Sequence, residues 1–456
     1  MNNKILIVGM SPLPNEKARY NHAGGIRSWL FLEKIIKIYK PSDLDIYMIY
    51  NNSFYNKPYD ENIVNKIKYG GYTINLISEK LAQQYLIFND LISQNNYSSI
   101  LSISSYPSYI ISLADTSDVP WWADINGDTI IEGQSKTYTE NDNQYVIYFH
   151  NMLSNILKKA DYFSTCSNRQ KYVLIGELCM LGRINKNNEG IDLVYDIPEP
   201  YNIISTKKII RQESNKDKFI ITWIGGYNTW TDPICLFKAL INTFEKNDNI
   251  EYHSTGGEIT IHTTKSFRIF KGLIQKSKFI KKFHFYGYVS NLELEKLIYK
   301  SNLGINIDRF NYEGLIGARN RINTFISHKT PVLSSILSEI SKELNDKKLI
   351  LGYETGNYHN LANKFLWAEK NRNKLKIMAE KAYLYAQQQN SHTNINQTLS
   401  WLKYPHKSNL SIFQKNTQEP IQDYICKPQR RDKLFLYNTL KFGYKRAIYG
   451  LINNKP

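Results

Sequence analysis

Short apolar runs rich in β-branched and aromatic residues alternate along the chain with longer stretches in which apolar positions recur every three or four residues. The runs at 5–8, 44–49, 74–77, 100–103, 121–125 and 162–166 read as buried strands, each followed by a polar or amphipathic stretch. In 24–39 (GGIRSWLFLEKIIKIY), Ile26, Leu30, Ile35, Ile36 and Tyr39 fall near helical spacing, with Gly24 and Gly25 opening the helix. Residues 196–217 lose this periodicity and are richer in Pro, Ser and charge, as an inter-domain connection would be. The rhythm then restarts, with strands expected at 219–224, 250–254, 283–286, 303–308 and 331–334. Between them, Ser290 and Glu293 have the spacing of a capping box, which fixes a helix start at 290, and 359–390 reads as one long helical region.

This β-α-β rhythm, played twice, predicts an α/β fold of two Rossmann-like doubly wound domains in tandem, over 1–205 and 206–405, followed by a basic helical tail over 406–456. The length of 456 residues and 42% hydrophobic content suit more than one core and exclude disorder throughout. No apolar run reaches the ~18 residues of a membrane span, and the opening MNNKILIVGMSPLP reads as a first strand rather than a signal peptide, so a cytoplasmic protein is expected. Cys166, Cys179, Cys235 and Cys426 stand far apart without zinc spacing, so neither a disulfide framework nor a metal is expected. The net charge of +17 is concentrated at the end: 401–456 hold eleven Lys/Arg against three acids. With no nucleic-acid motif beside that charge, no nucleic-acid partner is expected. Residues 431–452 place Leu436, Leu440, Tyr444, Ala447 and Leu451 on one helical face and Lys433, Lys441 and Lys445 on another, which suits an anionic membrane surface contacted through 428–456; packing on the body of the protein is the alternative.

Parallel sheets bind ligands at the carboxyl ends of their strands, where glycines let backbone approach a phosphate and helix N-termini present free N–H groups. Gly24, Gly25, Gly225 and Gly226 stand at such places, although turns need glycine in any case. PWWADINGDTIIEGQ puts Asp124, Asn126, Asp128 and Glu132 after two tryptophans at a strand end, where Asp124 or Asp128 could take a proton from an attacking hydroxyl and Trp122 and Asn126 could face an acceptor. An Asp-Gly turn over buried tryptophans is the plainer reading. GGYNTWTD similarly offers Asn228, Trp230 and Asp232, the last also an ordinary N-cap before Pro233. His22 precedes the first glycine pair, and Gly317, Arg319 and Arg321 form a loop whose guanidinium groups suit phosphate.

In this arrangement the chain resembles the two-Rossmann (GT-B) glycosyltransferases, and within them the retaining family 4 group. The residues that carry the resemblance are ILIVGMSP with NHAGGIR, ADYFSTCSNRQKYVLIGEL, and KFHFYGYVSNLELEKLIYKSNLGINI followed by YEGLIGARNRI. It implies transfer of a hexose from a nucleotide-diphosphate sugar to a glycan or lipid-linked acceptor in cell-surface polysaccharide synthesis, and the basic tail would then put a cytoplasmic protein at the inner face of the membrane. It also implies that the C-terminal domain holds the donor and the N-terminal domain the acceptor, with no cofactor besides the nucleotide-sugar co-substrate. Glu313 corresponds to the first of that group's two glutamates, which holds the donor sugar; eight positions on, where the second would stand, is Arg321. Retention follows from Glu313 by resemblance, whereas inversion would make Asp124 or Asp128 the base. Two alternatives share the architecture: a sugar-nucleotide epimerase, and a catalytically inactive glycan-binding relative.

Overall fold

A computed structural model describes residues 4–408 except 15, 17, 20, 21, 85, 202–217, 259–263 and 391–394. The described residues fall into two compact units, one holding 191–408 and the chain up to 176, the other 177–190. In the second unit, 177–190 are described and fold on themselves, the Asn188 side chain donating to the Arg183 carbonyl (2.6 Å). From 409 on, the expected basic tail lies outside the described residues, as does most of the connection at 196–217.

The first unit contains two sheets. One is built from β1 (Lys4–Met10), β2 (Leu44–Tyr50), β3 (Asn65–Tyr69), β4 (Tyr72–Ser78), β5 (Tyr97–Ser102), β6 (Trp121–Ile125), β7 (Tyr162–Thr165) and β8 (Val194–Asp196), in the order β3-β4-β2-β1-β5-β6-β7-β8. Its neighbours pair parallel apart from the antiparallel β3–β4 hairpin. The other is built from β9 (Phe219–Trp223), β10 (Ile250–Thr255), β11 (Phe283–Gly287), β12 (Leu303–Asn306), β13 (Val332–Ser335) and β14 (Leu351–Tyr353), all parallel, in the order β11-β10-β9-β12-β13-β14. The central strands are buried on both faces, which is why they read as continuous apolar runs in the sequence. Every expected strand is present.

The strands that the hydrophobic pattern did not show are short or half-exposed. β3, NKIKY, alternates half-buried and exposed residues at a sheet edge, and β8 and β14 are three residues each. Helix α1 (Ala23–Ile35) opens at the glycine pair, α2 (Thr129–Glu140) follows β6, and α3 (Pro233–Lys246) follows the GGYNTWTD loop. Helix α4 (Asn291–Lys300) starts at the expected capping box, Ser290 Oγ accepting from the Glu293 N–H while the carboxylate returns to the Ser290 N–H. The short α5 (Tyr312–Ile316) carries Glu313, and α6 (Asn320–Ser327) carries Arg321. The expected helix over 359–390 is two helices, Tyr358–Lys370 and Arg372–Asn390, because Asn371 at φ −118° leaves helical geometry.

The two halves exchange chain at their borders. Tyr201 already belongs to the core of the second sheet, with Ile224, Ile322 and Phe325. The last described helix, α7 (Asn396–Lys403), returns to the first sheet, where Trp401 lies 5.7 Å from Trp122 and 5.9 Å from Tyr162, ring centre to ring centre. The return precedes the boundary expected at 405.

Candidate active site between the two sheets

In the second sheet the strand order reverses at β9/β12, and there the β9 loop and the end of β12 form the crevice where parallel sheets take ligands. Arg321 spans this crevice. Its guanidinium lies 3.7 Å above the Trp223 ring and donates to the carbonyls of Ile224 (2.6 Å) and Gly226 (3.0 Å) and to Asn306 Oδ1 (3.0 Å). Three of its five N–H groups are thus used among the described residues, leaving two for a ligand. Gly225 is exposed beside it, 4.0 Å from Arg321 Nη2 to the position a Cβ would take. Burial draws the Arg321 pKa down, with Asp308 opposing, and the group stays cationic at neutral pH.

Glu313 sits in the first turn of α5, whose start is held by Asn311 Oδ1 accepting from the Gly314 N–H (2.7 Å). It is 5% exposed, and Arg319 clamps it from two sides, Nη1 to Oε1 (3.1 Å) and Nη2 to Oε2 (2.8 Å). The remaining Arg319 donors reach Asp308 Oδ1 (3.0 Å), the Ala318 carbonyl (2.8 Å) and the Glu313 carbonyl (3.2 Å). With all five N–H groups committed, Arg319 has none for a phosphate, which corrects the expectation from its residue type. It positions Glu313. Gly317 is required by this packing, since a Cβ there would lie 2.3 Å from Glu313 Oε1. Burial raises the Glu313 pKa to about 7 against the pull of Arg319, with Asp308 adding to the rise.

Across from α5 lies α2 of the first half. Ser135 Oγ accepts from Asn311 Nδ2 (3.3 Å) and Arg309 Nη2 (3.4 Å). Asp128 caps α2, its Oδ1 accepting from the Ile131 N–H (3.0 Å), and Glu132 is one turn further along. The Glu132 pKa rises to about 8, mainly by burial and then through the charges of Glu313 and Asp128. A carboxyl of each half therefore feels the other, and at neutral pH Glu132 is largely protonated, able to donate a hydrogen bond. The segment after β7 holds α5 in place: Ser167 Oγ donates to the Ile316 carbonyl (2.7 Å), and Arg169 Nη1 to the carbonyls of Leu315 and Leu337 (both 2.8 Å).

Other expected site residues are placed differently. Asp124 is fully buried at the end of β6, bidentate to Arg27 (2.7 and 3.0 Å) and accepting from Ser164 Oγ (2.6 Å) and the Ser104 N–H (3.2 Å). Both oxygens are occupied and none of it meets solvent, so it serves as the counter-ion of Arg27 rather than as a base. Trp122 is 1% exposed and stacks on Tyr162 and Tyr195, which corrects its expected place against an acceptor: it is core. Asn126 lies beside the buried Glu199 carboxylate. Gly24 and Gly25 are buried in α1, and the close approach that Gly25 permits is to the Pro12 carbonyl, 1.8 Å from where a Cβ would be. His22 is the N-cap residue of α1, its ring 4.7 Å from Phe54. Asp232 caps α3 through the Cys235 N–H (2.9 Å), with the half-buried Asn228 and Trp230 in the loop before it.

Arg321, Gly225 and Gly226 thus meet at the β9/β12 crevice, while Glu313, Arg319 and Gly317 cluster at α5, which lies against the helix that Asp128 caps. Glu132, Asp308, Ser167 and Arg169 join them. Glu132 carried a sequence signal, since it follows Asp128 by four positions and so shares its helix face. Asp308, Ser167 and Arg169 carried none, as their roles depend on which loops meet. An open groove of about 600 Å³ adjoins α5 at the ends of β13 and β14, lined in part by Phe310, Leu337, Tyr353 and Glu354.

No family model and no curated protein matches the sequence. Solved structures match the fold. The chain is similar to a sucrose-phosphate synthase from Thermosynechococcus elongatus (TM-score 0.63, 12% identity, 88% of this chain on 98% of that one). It is also similar to an E. coli protein described as trehalose-6-phosphate bound with UDP-2-fluoro glucose (0.62, 10%, 89% on 100%). A third is HepE of Anabaena in complex with UDP and glucose (0.59, 13%, 87% on 99%). With two largely parallel, doubly wound sheets and a match over 87–89% of this chain and nearly the whole of each neighbour, the chain has the GT-B fold.

Proposed function

We propose that the protein transfers a sugar from a nucleotide-diphosphate donor to a glycan or lipid-linked acceptor. The observation that carries this reading is Glu313, a buried carboxyl oriented by Arg319 at the carboxyl ends of the second sheet, whose charge helps raise the pKa of Glu132 in the first half. A donor diphosphate laid along the β9 loop meets the two spare N–H groups of Arg321, whose fixed charge stabilises the leaving phosphate without reorganising. The sugar then lies toward Glu313, whose oxygens can accept from its hydroxyls. The acceptor enters from the α2 side, and apposition of the halves keeps out water that would hydrolyse the donor. In a retaining reaction the departing phosphate takes the acceptor proton, and Asp124, locked to Arg27, is not needed. The expected domain roles, acceptor before about 200 and donor after it, fit this layout. Two of the structural neighbours are described with UDP or a UDP sugar, so uridine donors come first in the test.

Incubation of the purified chain with a panel of nucleotide sugars is expected to give slow donor hydrolysis, faster with a glycan acceptor, and free nucleoside diphosphate to raise Tm. Glu313→Ala should reduce turnover by at least ~10²-fold with folding retained, as for loss of one preorganised contact in a catalytic site. Unchanged turnover in that variant removes Glu313 from the site. An altered sugar on an intact donor would establish the epimerase, and diphosphate binding with no turnover an inactive relative.

A further inference from the structure

A second cluster of chemistry-bearing side chains stands outside the cleft, on the second sheet. In β10 and β11, Ile250, Tyr252, Phe283 and Phe285 turn to one face, where the first three join the core and Phe285 packs against it. Glu251, His253, His284 and Tyr286 turn to the other. His253 and His284 are register partners on the adjacent parallel strands, with ring centres 4.5 Å apart. Glu251 Oε2 lies 3.4 Å from His253 Nε2 and 3.5 Å from His284 Nε2, and the three ligand atoms all fall within 4.8 Å of one another.

We propose that Glu251, His253 and His284 bind a divalent transition-metal ion of the zinc class. Zinc sits ~2.0–2.1 Å from imidazole nitrogen and ~2.0–2.2 Å from carboxylate oxygen in a tetrahedron, whose edges are then ~3.3–3.5 Å. The two carboxylate–imidazole edges have that length, whereas a good hydrogen bond would be ~2.7–3.2 Å. His284 Nε2 is buried and has no hydrogen-bond partner among the described residues, so in the Nδ1–H tautomer its lone pair is available to the cluster. The outer contacts also suit an ion. His253 Nδ1 is 3.0 Å from Tyr286 Oη, which can accept from an Nδ1–H and so leave Nε2 to ligate, and Lys218 Nζ stands 3.6 Å from Glu251 Oε1, leaving Oε2 for the metal. Two imidazoles and one carboxylate leave a fourth position for water, and their preference among hydrated divalent ions runs to zinc, copper and nickel rather than magnesium or calcium. The ion would staple the edge strand β11 to β10. Sequence spacing hides the set, because His284 lies 31 positions beyond His253 and meets it only through strand pairing.

The test uses the full chain freed of metal by a chelator and titrated with zinc chloride alone, read by calorimetry and by the visible spectrum of the cobalt-substituted protein. Wild type should bind one equivalent with a four- or five-coordinate cobalt spectrum. Glu251→Gln and His284→Asn should each lose that equivalent while the metal-free proteins melt as wild type does. Tyr286→Phe should keep the stoichiometry and weaken binding by ~10-fold or more. Absence of a stoichiometric site in wild type, or wild-type affinity in Glu251→Gln, overturns the assignment. Since His284→Asn changes an edge strand, a variant that melts early is judged by Glu251→Gln, which keeps the size of the side chain. The assignment is independent of sugar transfer, so neither result bears on the other.

Discussion

Arg319 and Arg321 stand two positions apart at the start of α6, and their residue type suggests one role for both. The hydrogen bonds divide them: Arg319 spends five donors on Glu313, Asp308 and backbone, while Arg321 bridges β9 and β12 with two donors in reserve. Removing one partner from so enclosed an ion cluster typically costs ~3–5 kcal/mol, because the remaining charges are stranded. Glu132 follows from the same electrostatics. A carboxyl whose folded pKa is raised from 4.5 to about 8 holds its proton in the native state and has lost it in the unfolded one, so stability is greatest below the unfolded pKa and declines as pH rises toward about 8. Glu313, raised to about 7, contributes in the same direction. Glu132→Gln should therefore flatten the fall of Tm with pH between about 4.5 and 8. Melts of both proteins across that window check it, and parallel curves would mean that Glu132 ionises normally.

At the scale of elements, the glycines act through packing more than through ligand approach. Gly25 lets α1 dock onto the loop after β1 at the Pro12 carbonyl, which places Arg27 under β6 to meet Asp124. Gly25→Ala should destabilise by ~1–3 kcal/mol, the usual cost of overpacking, seen as a lower urea midpoint at unchanged slope. A wild-type midpoint would mean that the loop yields freely. The element that carries Glu313, α5, is only five residues long and could not stand alone; Asn311 caps it, and Ser167 and Arg169 grip its carbonyls from the other half. Those grips come from the segment ADYFSTCSNRQ, whose resemblance to known sequences gave no hint of what it touches.

At the scale of the whole molecule, no helix among the described residues is long and apolar enough to cross a membrane. Attachment to a lipid-borne acceptor would rest on the basic segment after 428, where each Lys or Arg near an anionic surface adds ~1 kcal/mol. Deleting 428–456 should release the protein from vesicles containing anionic lipid, measured by co-sedimentation, and persistent binding would place the contact elsewhere. The sequence by itself determined the two parallel sheets, most strand positions, the capped start of α4 and the glycine openings, because buried parallel strands and helix caps are written in local periodicity. It also brought Glu313 forward. Only the tertiary structure decided that Glu132 feels the charge of Glu313, that Arg319 serves a carboxylate, that Asp124 and Trp122 are interior, and that α7 returns to the first sheet. Each of these depends on which distant loops share one space, and burial and pairing there, rather than residue type, set what a side chain can do.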